Sequence, residues 1–391
     1  MSRHYDVAAV RREFPVVDRM LYLDSAHQTP LATSIKQALI RFYEEGNELA
    51  GPKPVWLRRV DIIRERVAAL FSASPSEIAF VKNTSEAMNI AANAIPFAPG
   101  DNVLLVEGDH PNNAYAFLNL QRRGVEVRFV QLREGAVDAS TFAHHIDRNT
   151  RAISLSHVTF HSGHRFDVAS VGAFCAEAGI YLIIDAMQST GVIPLDPSQL
   201  GATIVGSGCH KGLLVPQGLG ILYCQSGHQE LRPAYMAMSS LAKPPVDYIA
   251  RPENMALRDD ASRFEIGNFN LPDIHALSAS LDLLERVGIP NIEAHLYDLG
   301  DHLIDHLDEA GISLVGPRDR ALRSPHIYVL DLPGDGWAEY LAEEQVRVSP
   351  ERDGIRVSFG LFNTNRDVDD FIRIVRRRLG ATRSRDLAPT S

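Results

Sequence analysis

Two charged residues stand at the ends of apolar runs, where neither is cheap to bury without a partner. Lys211 closes the stretch Gly206-Ser207-Gly208-Cys209-His210-Lys211, and the glycine-rich Val215-Pro216-Gln217-Gly218-Leu219-Gly220 follows it. A lysine amine near other positive groups loses its proton more readily and becomes a nucleophile. Taken alone it is also a lysine whose stem lies on apolar surface while its head reaches water. Asp185 ends the run Tyr181–Ile184 and precedes Ala186-Met187-Gln188; it is either a buried acid with a task or a helix N-cap. Asn83-Thr84-Ser85-Glu86 follows another apolar run. Asn83 and Glu86 read as a capping box, and the exposed amides with two hydroxyls form a ready anion site. His110 follows a further run, in Asp109-His110-Pro111.

All four signals share one position, just beyond a short run rich in Val, Ile and Leu. Such runs are Ile78–Lys82, Asn102–Glu107, Val125–Gln131, Ala152–His157, Tyr181–Asp185, Ala202–Val205 and Gly220–Cys224. They do not alternate, which is how strands buried on both faces read. Helical periodicity fills Val55–Phe71, Ser85–Ala94, Asn113–Arg123 and Val168–Glu177. The alternation predicts an α/β fold, a large mostly parallel sheet with helices on both faces. Ligands in such sheets bind beyond the carboxyl ends of the strands. After residue 265 the pattern changes to helices Leu271–Val287 and Ile292–Ala310, strands His326–Leu332 and Ile355–Phe359, and a last helix Asp367–Leu379 stopped by Gly380. The expected organisation is an N-terminal segment 1–20, a large domain 21–265 and a smaller α+β domain 266–391, with a frayed tail from about 381.

The 391 residues carry 39 Lys and Arg against 49 Asp and Glu, a net charge of −10. That balance argues against nucleic acid as a partner. No 18-residue apolar run or signal segment is present, so no membrane is expected. Three cysteines, Cys175, Cys209 and Cys224, make no disulfide framework, and a cytoplasmic location follows as the simplest reading. His157, His161 and His164 lack a carboxylate or cysteine at ligand spacing, and no metal is expected. A nucleotide-binding enzyme is disfavoured, since neither Gly-x-Gly-x-x-Gly after the first strand nor a Walker lysine is present.

An anion site, an imidazole, a buried acid and a reactive amine are the set that pyridoxal 5'-phosphate requires. Asp185-Ala186-Met187-Gln188-Ser189, then His210-Lys211 and the glycine-rich segment, resemble the class V aminotransferases, a family that includes cysteine desulfurases, C–S lyases and isopenicillin N epimerase-like proteins. The resemblance runs from Tyr22-Leu23-Asp24 to Asn363-Thr364. It implies a fold-type-I enzyme, a homodimer with its active sites at the subunit interface, acting on a small amino-acid-like substrate. Lys211 would hold the cofactor as a Schiff base and then move the Cα proton. Asp185 would pair with the pyridine nitrogen, His110 would stack on the ring, and Gln188 would contact the ring oxygen. Thr84, Ser85 and His210 would hold the phosphate. Arg356 would fork onto a substrate carboxylate, and His27 falls in the substrate-facing N-terminal loop. Arg263–Asn268 would reach the phosphate of the neighbouring subunit.

The departures narrow the chemistry. Val346–Gly354, where desulfurases carry a nucleophilic cysteine, has none, so persulfide-forming desulfuration is disfavoured. The serine that relatives place three before the lysine is Gly208 here, leaving Ser207 as the nearby hydroxyl; Asn268 stands where Thr is usual. Transamination or β-elimination of an amino acid or cysteine derivative is the first expectation. Epimerisation, or a silent ligand-binding or assembly subunit, is the alternative.

Overall fold

The computed structural model describes residues 5–132 and 137–386. They divide into two compact units. The sheet unit comprises 34–159 and 165–286; the other holds the residues up to Thr33, Phe160–His164 and those from Val287 onward. This division departs from cuts at 20 and 265. Leu21–Tyr22 pairs in parallel with Val346–Arg347, and Asp24 bridges Ser358. These partners lie more than 300 residues apart, so no local pattern announces them.

The sheet unit has seven strands: β1 Ile78–Val81, β2 Asn102–Val106, β3 Glu126–Val130, β4 Thr150–Ser156, β5 Tyr181–Asp185, β6 Ile204–Gly208 and β7 Gly220–Cys224. Their order is β1-β7-β6-β5-β4-β2-β3. Strand β7 is antiparallel to both neighbours, and the remaining pairs are parallel. The carboxyl ends of β1, β2, β4, β5 and β6 therefore share one edge. Strands β1, β2, β6 and β7 are buried throughout, which accounts for their unbroken apolar runs. The unit's longer helices are α1 Thr33–Glu48, α2 Lys53–Leu70, α3 Thr84–Ala94, α4 Pro111–Leu118, α5 Val168–Ala178 and α6 Leu271–Val287.

Two local readings change. Strand β6 runs on through Gly206-Ser207-Gly208, which the sequence places in a loop. Its glycines mark close approach, because a Cβ on Gly206 would sit 2.7 Å from that of Ala87 on α3. The α4 helix ends at Leu118 and continues to Arg123 as a tighter 3₁₀ turn.

The other unit has a four-stranded antiparallel sheet of β8 Ser313–Val315, β9 Ile327–Asp331, β10 Ser349–Glu351 and β11 Gly354–Ser358, in the order β10-β11-β9-β8. Its long helices are α7 Ile289–Ala310 and α8 Asn365–Asp386. Helix α8 does not stop at Gly380 but continues to Asp386. Gly380 lacks the positive φ of a helix-ending glycine. The expected frayed tail is thus helical to Asp386, and its remainder lies outside the described residues.

Candidate active site

At the carboxyl edge of the sheet unit, Asp185 is the last residue of β5 and is 5 % exposed. The Met187 amide donates to its Oδ1 at 2.9 Å. Burial pushes its pKa up to about 7; the Met187 hydrogen bond opposes this, nearby Asp109 adds to it, and the charge of Lys211 opposes it. Lys211 lies just beyond β6, the strand beside β5.

Thr84 is the first residue of α3, whose N-cap Asn83 accepts the Glu86 amide at 2.9 Å. The Glu86 carboxylate takes the Lys82 amide at 2.5 Å, so the return bond of the expected capping box falls one residue earlier. Ser85 follows Thr84 in this first turn, where amides point away from the helix. The Thr84 hydroxyl and the Gly208 amide both donate to Met187 Sδ, at 3.0 and 3.1 Å. A Cβ on Gly208 would lie 3.0 Å from that sulfur and 3.3 Å from both Thr84 Oγ1 and His210 Nδ1. Thr84, Gly208 and His210 thus form a cup that glycine keeps open. Gln188 is buried beyond β5. Ser207, also buried, turns its hydroxyl to the Gly208 carbonyl at 3.1 Å.

His110 caps α4, with Nδ1 accepting the Asn112 amide at 3.2 Å. In the neutral ring this places the proton on Nε2. Its own amide donates to Asp109 Oδ1 at 2.6 Å. Asp109, which the sequence reading passed over for its neighbour, also takes Ser156 Oγ at 2.5 Å, the Ser156 amide at 2.8 Å and Asn113 Nδ2 at 3.1 Å. Because Ser156 pairs with Asp185 across β4 and β5, Asp109 ties the His110 turn to the strand that carries the acid. His157 donates its amide to the Asp185 carbonyl at 2.9 Å, and burial pushes its imidazole down to about 3.

Asn268 lines a pocket with Lys82, Glu86 and Gly218, beside the Asn83–Ser85 turn. Asn268 is exposed and accepts Lys53 Nζ at 3.1 Å. Arg263, in the same segment, is buried and donates to the carbonyls of Leu231, His228, Asp259 and Asp260. The third member of the His157 trio, His164, shares the second unit with His161, while His157 belongs to the sheet unit. No metal-ligand group among the described residues includes any of the three.

In the second unit His27 is exposed. Arg356 on β11 is buried, with both terminal nitrogens engaged and Nε without a hydrogen-bond partner. Nη1 meets Glu351 Oε1 at 2.6 Å and the Phe160 carbonyl at 3.2 Å; Nη2 meets Ser349 Oγ at 3.1 Å and Asp24 Oδ1 at 3.6 Å. Ser349 in turn donates to Asp24 Oδ1 at 2.7 Å. The sequence foresaw the arginine but neither carboxylate.

A sheet-edge acid, an amine just beyond the next strand and an open anion cup are a cofactor enzyme's equipment, and the relatives agree. The family profile of class-V aminotransferases matches residues 21–371, and the chain belongs to that family. It is 31 % identical over 386 residues to an uncharacterised aminotransferase of Schizosaccharomyces pombe, covering 95 % of this chain and 96 % of that one. It is 34 % identical over 293 residues to a probable cysteine desulfurase of Methanothermobacter thermautotrophicus, covering 73 % and 72 %. Among solved structures, a cysteine desulfurase from Thermococcus onnurineus NA1 superposes with a TM-score of 0.88 at 21 % identity, over 97 % of this chain and all of that one. A C-DES variant with glycine covalently linked to its pyridoxal phosphate gives 0.83 at 21 % identity, over 93 % and 98 %. The fold is that of fold-type-I enzymes, and the cofactor is pyridoxal 5'-phosphate. The residues present fit it: a buried acid whose pKa is displaced upward suits a protonated ring nitrogen, and the glycine-lined cup suits a phosphate.

Proposed function

We propose that this class V aminotransferase-like enzyme acts at Cα of an amino-acid or cysteine-derived substrate, by transamination or β-elimination. The observation that carries the reading is Asp185, buried at the strand end with its pKa pushed up to about 7. Such an acid gains from a cationic partner. Pyridoxal phosphate supplies the aldehyde and the electron-withdrawing ring. Asp185 would hold the ring nitrogen, and Thr84, Ser85, Ser207, His210 and the Gly208 amide would receive the phosphate in place of the two donors that now meet Met187 Sδ. His110 would contact the ring and Gln188 its oxygen. Lys211 would hold the cofactor through its amine and would be the group that takes up the Cα proton.

Arg356 receives a substrate carboxylate, and His27 stands in the same role of substrate contact. Glu351 and Asp24 already neutralise that arginine, so the incoming carboxylate displaces Glu351. The cysteines favour chemistry without a protein persulfide. All three are free and buried, and burial raises the thiol of Cys175 to about 12, that of Cys224 to about 11 and that of Cys209 further. Unpaired thiols also support a reducing, cytoplasmic setting. No helix among the described residues is long and apolar enough to cross a membrane. A homodimer, with Asn268 reaching the partner's phosphate, is supported by exposed apolar residues between Tyr235 and Met255, among them Val246 at 96 % and Tyr248 at 81 % exposure.

The test is an absorption spectrum of the purified protein, followed by borohydride reduction and peptide mass mapping. Cofactor mass fixed on Lys211 is expected, with an altered band and no borohydride-fixed cofactor in Lys211→Ala. A colourless protein that stays colourless with added pyridoxal phosphate sinks the reading. With cysteine conjugates and common amino acids, pyruvate and thiol mark a lyase, whereas an oxo acid and aminated cofactor mark a transaminase.

A further inference from the structure

Far along the chain from the sheet edge, helices α7 and α8 bring three ligand-type side chains to one point. His302 and His306 stand four residues apart on α7 and so share a face. Asp369 projects from α8 to meet them. Its Oδ1 lies 2.7 Å from His302 Nε2 and 3.1 Å from His306 Nε2. The ring centroids are 4.6 Å apart and inclined at 72°, so the two imidazoles converge without stacking. All the ligand atoms fall within 4.8 Å of one another.

We infer that His302, His306 and Asp369 form a binding site for a divalent transition metal of the zinc class. Zinc holds imidazole nitrogen and carboxylate oxygen at about 2.0–2.2 Å, which places tetrahedral ligand atoms about 3.3 Å apart. The two imidazole–carboxylate separations open by about 0.2–0.6 Å to admit the ion, and the two imidazole nitrogens, within 4.8 Å of each other, close onto it. Two imidazoles with one carboxylate select zinc, nickel, cobalt or copper over magnesium or calcium, which prefer all-oxygen sets. Behind the pair, Glu309 Oε2 lies 3.5 Å from His306 Nδ1, an ion-pair separation without a hydrogen bond, and Arg376 Nη2 anchors that carboxylate at 2.8 Å. Closing that gap would fix the tautomer of a ligating His306. The neighbouring Asp370 is engaged by Arg366 and Arg373, which leaves Asp369 as the acid turned to α7. The three side chains are about one quarter to one half exposed, so an ion enters from solvent and water completes its shell. Bound metal would clip α7 to α8, adding a cross-link to the family fold that the chemistry at Lys211 does not require.

The test is zinc titration of tag-free holoenzyme, freed of unbound cofactor, by calorimetry and by thermal melting. One equivalent with a dissociation constant of micromolar order or tighter is expected, with a rise in the melting midpoint. His302→Ala and His306→Ala each weaken binding at least tenfold and abolish that rise, while His145→Ala, on the exposed surface of the sheet unit, leaves both unchanged. Asp369→Asn provides the same test should either histidine variant fail to fold. Cobalt in place of zinc gives a visible d–d absorption that the variants lose. Absence of binding below 0.1 mM zinc, or equal binding by the variants, overturns the site.

Discussion

Asp185 and Arg356 are both buried charges on strands, and the protein treats them in opposite ways. Asp185 sits where burial outweighs its compensation, and its pKa is displaced upward to about 7. Arg356 is met by two carboxylates, a hydroxyl and a carbonyl. One region leaves room for an external cation, while the other carries an internal copy of the anion it would bind. A permanently held cofactor rewards the first arrangement. A substrate that must come and go suits the second, because the empty state then strands no charge in a low-dielectric site.

The largest effect separates chemistry from both charges. Lys211→Ala should lower turnover about 1,000-fold or more, as expected for loss of a positioned base and nucleophile, with unchanged thermal stability. Activity retained within tenfold would remove Lys211 from its role. Arg356→Ala should expose the cost of the second arrangement. It removes the cation that meets Glu351 and leaves Asp24 with Arg347 at 3.5 Å, and about 3–5 kcal/mol of stability should be lost in denaturant unfolding. A loss under 1 kcal/mol would mean that the cage is solvated.

Asp185 gives the pH arm. Its folded pKa, about 7, lies above its unfolded value near 3.8, so the native state binds the extra proton between them. The contribution of Asp185 to apoprotein stability should therefore be complete below pH 4 and decline as pH rises toward 7. Comparing pH-dependent melts of the wild type and Asp185→Asn isolates this slope, and saturating pyridoxal phosphate should reduce it by supplying a cation. Identical slopes in the two apoproteins would contradict the displaced pKa. Gly208→Ala should weaken cofactor binding about tenfold by crowding Thr84, His210 and Met187, readable by fluorescence titration. Smallest of all, Glu351→Gln should lower KM for a carboxylate substrate about threefold with little change in kcat. A raised KM would instead make Glu351 a substrate contact.

The sheet was largely legible because buried parallel strands must be apolar on both faces. Tyr181–Asp185 and Gly220–Cys224 match the sequence reading to the residue. Strand β6 was cut short because glycine in a sequence reads as a turn, whereas at Gly206 it permits contact with α3. The reactive-looking residues at strand ends were legible for the same topological reason. The partners of Arg356 were not, since Asp24 lies more than 300 positions away and Glu351 resembles any surface acid. Asp109 was visible beside His110, yet its hydrogen bonds to Ser156 depend on strand order, which no local pattern states. Met187 offered only an apolar side chain, and its sulfur acquires polar partners only through folding.

The reversed strand β7 has a consequence for how Lys211 moves. A parallel successor to β6 would need a long crossover to the far edge of the sheet. The antiparallel one lets residues 209–219 turn back directly. The neck of that loop is tied by Cys209 N to the Leu219 carbonyl at 2.9 Å and by Val215 N to the Cys209 carbonyl at 3.0 Å. The short closure costs little chain entropy and leaves the main chain few alternatives. In the role proposed for Lys211, its amine would therefore swing on a four-carbon arm from a fixed pivot, and would return without the backbone having to search for its place.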